Sequence, residues 1–483
     1  MFELLFNNLI KNSLIYGLGQ ILNRFLSFFL LPVFTAYLTP ADFGVLAILG
    51  VMNLVVTACF SYGSGAATGL CYFEGNDHRR KEETIWTSVL ILLVSAVVIG
   101  LFAFCFPSCL SRLLFGEPYQ SKLVTLSLLS AGASILNAQF LLYLMFEKRA
   151  FTYVIFTTTL TMLSLGLTVL TVVFWGRGVE GMIESILTAN VAALGMLVFV
   201  CARSLSFRLS GSVARDFMRF GAPLIPSSFF LFVIQHANQY FLQRFRGIEE
   251  VGVYIIGFNF GLVMNLLVSA FSSAWYPHFM SFVGRQNEAK DHFGRVVTAY
   301  TLGFGVLSLL FYVGARPVVM IMTQPAFYDA YKIIGPASTA YFFSGFFFLL
   351  LPAVYFAKEV KYVSLIQGGC ALCVVVLDLL LIPWVGMVGA VSSLVAGYVL
   401  LVSLQFAWNR SRKGKYFQFS CEWRRLRQFA FVYVCTAGLS FLPRNLTILP
   451  EVAFSGSIFV CLLLILYLSL SGGERRFLFS LIR

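Results

Sequence analysis

The stretch NSLIYGLGQILNRFLSFFLLPVFTAYL, residues 12–38, is long enough to cross a bilayer and carries one cation near its middle, Arg24. At about 1.5 Å of rise per residue, Arg24 lies roughly 15–20 Å from either end, too deep for easy snorkelling to the headgroups. Holding a charge there costs about 2.5–3.5 kcal/mol on insertion scales, so such a residue faces a bundle interior or a water-filled cavity. Ser13, Gly17, Gln20 and Ser27 join Arg24 at helical spacing in one small or polar stripe. The stripe reads as cavity-facing, and Arg24 as a residue that handles a ligand or an ion. The alternative is an arginine paired with a carboxylate that only pins helix to helix.

The rest of the chain is of the same kind. Of its 483 residues 59% are hydrophobic and 11% charged, and the mean hydropathy is +0.86, which makes the protein membrane-embedded throughout. The net charge of +13 does not point to nucleic acid, because the cations fall between hydrophobic spans and act as topology signals. The opening MFELLFNNLIKNS runs into a full-length span with no clear cleavage site, so that span is expected to stay in the protein. The ten cysteines are scattered; the CALC pair Cys370 and Cys373 lies in an apolar helix without a second pair, so no metal or redox role is expected.

Apolar runs predict fourteen helices, near 12–38, 44–73, 84–107, 120–146, 151–175, 181–202, 219–243, 252–281, 296–315, 331–357, 363–382, 389–408, 428–443 and 451–471, the thirteenth being short. They are too long and continuous for the alternating strands of a barrel. With the N-terminus inside, the inner segments hold 25 Lys and Arg and the outer segments 8, Arg24 completing the total of 34. That bias predicts an even number of spans with both termini cytoplasmic.

The chain also repeats itself. TPADFGVLA around Gly44 returns as GIEEVGVYI around Gly252, an offset of 208. WGRGVEG from Trp175 matches WVGMVGA from Trp384 at 209, and Tyr143, Glu147 and Arg149 match Tyr355, Glu359 and Lys361 at 212. Six spans separate the partners, so the repeats are parallel and related by an axis along the membrane normal. The predicted fold is therefore an all-α polytopic membrane protein of about 14 transmembrane helices, with six-helix lobes at 1–210 and 211–420 and two further helices with a cytoplasmic tail at 421–483. That layout is a transporter's.

Other spans carry polar stripes: Asn53, Thr57, Ser61, Ser64 and Thr68 in the second; Ser127, Ser130, Ser134 and Asn137 in the fourth; Gln235, His236, Asn238 and Gln239 in the seventh. They line the cavity or else bond helix to helix. His236 is a candidate for proton coupling or a satisfied core histidine. Asp378 is a candidate coupling acid or counter-ion for Arg24, or an interfacial carboxylate. Arg244 and Arg246 read as loop charges, and the pair Gly257 and Gly261 as close helix packing. There is no GxxxxGK[ST] loop, HExxH, GxSxG or His and Cys cluster, and no sizeable soluble domain, so neither ATP hydrolysis nor another enzyme activity is expected. The sequon at Asn445 carries no weight by itself.

Three tracts carry a family resemblance. LPVFTAYLTPADFGVLAIL (31–49), FGAPLIPSSFFLFVIQHANQYFLQRFRGIEEVGVYIIGFNF (220–260) and the segment from Tyr331 to Tyr362 resemble the polysaccharide transporter family, the Wzx-type O-antigen flippases. The likeness spans the chain in order and spacing, and the family shares a superfamily with multidrug and toxin extruders and the peptidoglycan precursor flippase. It implies a V-shaped pair of lobes that moves undecaprenyl-pyrophosphate-linked oligosaccharide from the cytoplasmic to the periplasmic leaflet of a bacterial inner membrane, in lipopolysaccharide or other surface-polysaccharide biosynthesis. The implied site has Arg24 on the pyrophosphate and Gln20, Asn53, Asn137, Gln235, Asn238 and Gln239 on sugar. His236 and Asp378 are its ion-coupling candidates, and the extra helices guide the lipid tail. The implied partners are membrane lipid, a polysaccharide polymerase and a chain-length regulator; no cofactor or metal is implied. The chain departs in having only one deep arginine. A cation-coupled drug extruder and a non-transporting subunit of a polysaccharide assembly complex are the competing readings.

Overall fold

In a computed structural model, the structure describes residues 2–74, 78–280, 282, 286–356, 361–410, 423–440, 450–451, 454, 456–457 and 459. They form helices α1 (Phe2–Phe29), α2 (Leu31–Tyr37), α3 (Pro40–Phe60), α4 (Ser64–Glu74), α5 (His78–Cys105), α6 (Pro107–Phe115), α7 (Ser121–Phe146), α8 (Ala150–Thr168) and α9 (Gly178–Ser204). Then follow α10 (Gly211–Gly221), α11 (Ile225–Arg246), α12 (Ile248–Met280), α13 (Gln286–Met322), α14 (Tyr331–Leu350), α15 (Pro352–Phe356), α16 (Lys361–Val385), α17 (Met387–Arg410) and α18 (Trp423–Ser440). No strand occurs among the described residues.

Eleven helical segments of the described residues are long and apolar enough to cross a membrane. They match the first six predicted spans and the eighth to the twelfth. The seventh is present as α11, whose run of Gln235, His236, Asn238 and Gln239 lowers its hydropathy. The thirteenth corresponds to α18, and the fourteenth lies almost wholly outside the described residues. The second span is broken: Tyr62 (φ 49°) and Gly63 (φ 56°) adopt left-handed backbone between α3 and α4. Proline opens α3, where Thr39 and Asp42 form a reciprocal capping box, with Thr39 N donating to Asp42 Oδ2 at 2.8 Å.

The chain forms two compact units, Met1–Gly252 and Val253–Arg483. In the first, α7 packs between α5 and α9 over a core that includes Leu92, Ile99, Val124, Leu128, Ile135 and Ile183. Also in this unit, α1 lies along α8, α11 along α3, and α10 on α4 and α5. In the second, α14 packs against α13 and α17, and α16 against α17. The glycine pair read as close packing serves that end: a Cβ on Gly257 would stand 2.4 Å from the Ala330 carbonyl oxygen, and one on Gly261 2.5 Å from Ala337 Cβ. Helix α18 docks on α13 where Gly305 leaves room for the Phe429 ring.

Candidate substrate path

Helix α1 meets α8 through Gly19, which faces Val154, and through an edge-on contact of Tyr16 and Tyr153 with ring centroids 5.1 Å apart. Helical spacing then sorts the rest of α1 onto two flanks of that contact. One flank carries Gln20, Arg24 and Ser27, all exposed. Among the described residues no acidic group makes an ion pair with Arg24, so the pairing that would reduce it to a helix pin is not observed. Tyr16 Oη and Asn23 Oδ1 on α1, Thr158 Oγ1 on α8 and Asn53 Oδ1 on α3 are buried atoms without a hydrogen-bond partner among the described residues. Buried polar groups are nearly always satisfied, so these four stand out as polar atoms that the described packing leaves over. Tyr16, Asn23 and Thr158 were not singled out in the sequence; Asn23 beside Arg24 was the available signal.

The other flank of α1 is greasy. Phe25, Leu26, Phe29 and Leu30 form with Met162, Leu165, Gly166 and Val169 of the α8 segment a groove of about 620 Å³. Every lining residue is apolar or glycine, so the groove fits hydrocarbon and excludes sugar.

Of the fourth span's stripe Ser127, Ser130 and Asn137 turn inward, whereas Ser134 is exposed. Asn137 is 2% exposed; its Nδ2 donates to the backbone oxygen of Asn190 at 2.9 Å, and Asn190 Nδ2 donates to Ser130 Oγ at 3.0 Å. Two residues on, Gln139 Nε2 donates to Ser88 Oγ at 2.7 Å and to Thr68 Oγ1 at 3.0 Å. These bonds join α7 to α9, α5 and α4. Asn190 and Gln139 are thus the partners that the sequence reading missed.

On α11, Asn238 and Gln239 are buried while Gln235 and His236 are half-buried. His236 stacks on Phe232 with centroids 5.6 Å apart, and its Nδ1 lies 3.3 Å from Gln239 Nε2. Among the described residues no hydrogen bond gathers Arg24 and this cluster into one constellation; α1 lies on α8 and α11 on α3.

Asp378 belongs to the second unit and is fully buried. Ser393 Oγ on α17 donates to its Oδ1, while Oδ2 has no partner among the described residues. Its hydrogen-bond partner within the second unit is therefore a serine. A further hydroxyl network ties α18 in: Tyr433 Oη lies 2.7 Å from both Ser308 Oγ and Thr339 Oγ1. Among the described residues no group of three or more His, Cys, Asp or Glu could hold a metal.

A carboxylate and a phenol meet at the end of α7, where Tyr72 Oη donates to Glu147 and Lys81 Nζ sits 5.2 Å over the Tyr72 ring. Tyr143 and Glu147 are members of the internal repeat; the counterpart of Glu147, Glu359, lies outside the described residues.

Comparison with curated proteins gives no match. Solved structures do share the fold. A lipid II flippase, MurJ, in an inward closed conformation superposes with a TM-score of 0.74 at 12% identity, covering 97% of this chain and 100% of that one. An inward-facing multidrug resistance transporter of the MATE family, in the MOP superfamily, gives 0.65 at 14% identity over 83% and 94%. A MOP superfamily transporter from Pyrococcus furiosus gives 0.60 at 15% over 85% and 96%. The chain is thus a multi-pass membrane protein that shares the fold of these structures. A family model described as polysaccharide biosynthesis protein matches residues 9–283, more than half of the chain. On that match the chain belongs to the polysaccharide biosynthesis family.

Proposed function

We propose that the protein is a flippase that carries undecaprenyl-pyrophosphate-linked oligosaccharide, the repeat unit of an O-antigen or a related surface polysaccharide, from the cytoplasmic to the periplasmic leaflet of a bacterial inner membrane. Both termini are cytoplasmic in this reading. The lobes of residues 1–210 and 211–420 alternate access to the path, with residues 421–483 as an accessory pair of helices. No bond is made or broken, so no catalytic residue is assigned.

One observation carries the reading: Arg24 is exposed near the middle of the first span, Ile15–Tyr37, and has no acidic ion-pair partner among the described residues. An anionic headgroup crossing hydrocarbon needs a fixed cation and a polar route, and Arg24 with Gln20 and Asn53 provides both. Gln235, Asn238 and Gln239 extend the sugar-facing surface. Asn137 supports the path by holding α7 to α9. The groove beside Phe25 and Phe29 takes hydrocarbon while the opposite flank takes the charged head. Asp378 and His236 are the coupling candidates, Asp378 the stronger for its buried carboxylate. A polymerase and a chain-length regulator would take up the delivered lipid.

The test is the leaflet distribution of the lipid-linked oligosaccharide in cells depleted of the protein and then complemented. Accumulation on the cytoplasmic leaflet that wild type reverses and Arg24→Ala does not is the expected result. An unchanged distribution on depletion would discard the flippase reading in favour of the extruder.

A further inference from the structure

Between the sixth span and α11 the chain makes α10, whose residues sort by side. Val213, Phe217 and Gly221 recur every four residues and are buried against α4 and α5. At Gly221 the approach is so close that a Cβ would stand 2.0 Å from the Tyr62 carbonyl oxygen. Helical spacing then sets Arg215 and Arg219 on the side turned away from that contact, and both are exposed. Met218 flanks them on one edge and Phe220 on the other, 37% and 48% exposed.

The depth of this helix follows from its anchors on α5. That helix opens with the charged run His78 to Glu83 and becomes apolar from Ile85. The strand of chain leading to α10 climbs along this transition: Ser206 N donates to Glu82 Oε1 at 3.0 Å, the Phe207 ring lies 5.2 Å from that of Trp86, and Ser210 N donates to Thr87 Oγ1 at 3.0 Å. Helix α10 therefore starts at the level where α5 passes from polar to apolar surroundings, which in a bilayer is the boundary of headgroup and acyl chain. A helix at that level with arginines on one face and large apolar side chains on its edges is an in-plane membrane helix.

We propose that α10 is a lipid-binding element. Arg215 and Arg219 bind the phosphates of anionic phospholipids in the leaflet beside them, and Met218 and Phe220 enter the acyl boundary. By the charge count this leaflet is the cytoplasmic one. Phosphate is favoured over a protein partner because the fixed charge and the apolar edges lie together at the depth where phosphate and acyl chain meet. The proposal stands apart from the identity of the transported lipid.

The experiment is amide hydrogen exchange on the full chain in nanodiscs of phosphatidylcholine alone and with about one-third phosphatidylglycerol, the transported lipid being absent from both. Exchange across 211–221 should slow about tenfold in the anionic discs, and high salt should remove the difference. Arg215→Gln with Arg219→Gln should abolish it, whereas Arg215→Lys with Arg219→Lys should keep most of it, because headgroup attraction needs charge at that place. Equal exchange in the two lipids overturns the proposal. So does a lysine variant that behaves like the glutamine variant, since the difference would then report the fold of α10 and not its charge.

Discussion

Gly44 and Gly252, equivalent positions of the internal repeat, pack against each other's helix in the structure. A Cβ on Gly252 would stand 1.7 Å from the Pro40 carbonyl oxygen and 3.0 Å from Gly44 N, and one on Gly44 would stand 2.0 Å from the Ile248 carbonyl oxygen. The starts of α3 and α12 thus cross backbone on backbone, and no flexible side chain can yield. Gly44→Ala and Gly252→Ala should each lose about 1–3 kcal/mol of stability, despite the gain in helix propensity that alanine brings. Gly50→Ala, on α3 with open space at its Cβ, is the matched control and should lose nothing. Once one methyl has parted the helices the second meets less resistance, so the double variant should cost less than the sum. Thermal unfolding in detergent reads all four; strict additivity would show that the glycines act separately.

Arg24→Ala should abolish transport without lowering the amount of folded protein in the membrane. The residue packs against no core cluster and makes no ion pair among the described residues, so its removal breaks no observed structural bond. Arg24→Lys should restore part of the activity, since a point charge attracts a phosphate but lacks the two-pronged fit of a guanidinium. Lipid-leaflet labelling with parallel quantification of membrane protein separates the two effects. Full activity in the alanine variant would remove the central cation from the path.

Asn137→Ala should behave in the opposite way. It leaves the Asn190 backbone oxygen and side chain without their donor inside the first unit, a loss of about 0.6–2 kcal/mol for a hydrogen bond between membrane helices. Transport per folded molecule should hold near the wild-type value while the unfolding temperature falls. Gln139→Leu, which strips two acceptors at once, should fall further.

The contrast between Arg24 and Asn137 marks where the sequence could be read and where it could not. Span positions and the repeat are properties of single segments, expressed in hydropathy, spacing and charge between spans, and they reappear as helices and as the Gly44 and Gly252 crossing. Whether a polar stripe faces a path or a neighbour depends on how each helix is turned in the bundle. Asn137 finds its partner 53 residues away in Asn190, and nothing in either helix alone announces that pairing. The break at Tyr62 and Gly63 was hidden for a similar reason, because the segment stays apolar through it. The anchoring of α18 through Tyr433 likewise required knowing that α13 and α14 lie beside it.

In the proposed flippase Asp378 and His236 are the candidates for coupling to an ion gradient, and their surroundings favour the acid. Asp378 is fully buried, receives one hydrogen bond from Ser393 and has a second oxygen with no partner among the described residues. A buried carboxylate with an unpartnered oxygen is a place where a proton or a cation can bind, because leaving it charged and alone is costly. His236 is only half-buried, stacked on Phe232 and in reach of Gln239, an arrangement that satisfies a neutral imidazole. Asp378→Asn keeps the size of the side chain and an acceptor for Ser393 but cannot bind a proton or pair with a cation. It should fold normally, yet transport measured in vesicles should no longer respond to an imposed proton or sodium gradient. His236→Gln should retain that response. The reverse outcome, a gradient-insensitive His236→Gln beside a responsive Asp378→Asn, would move the coupling site from the second unit to α11.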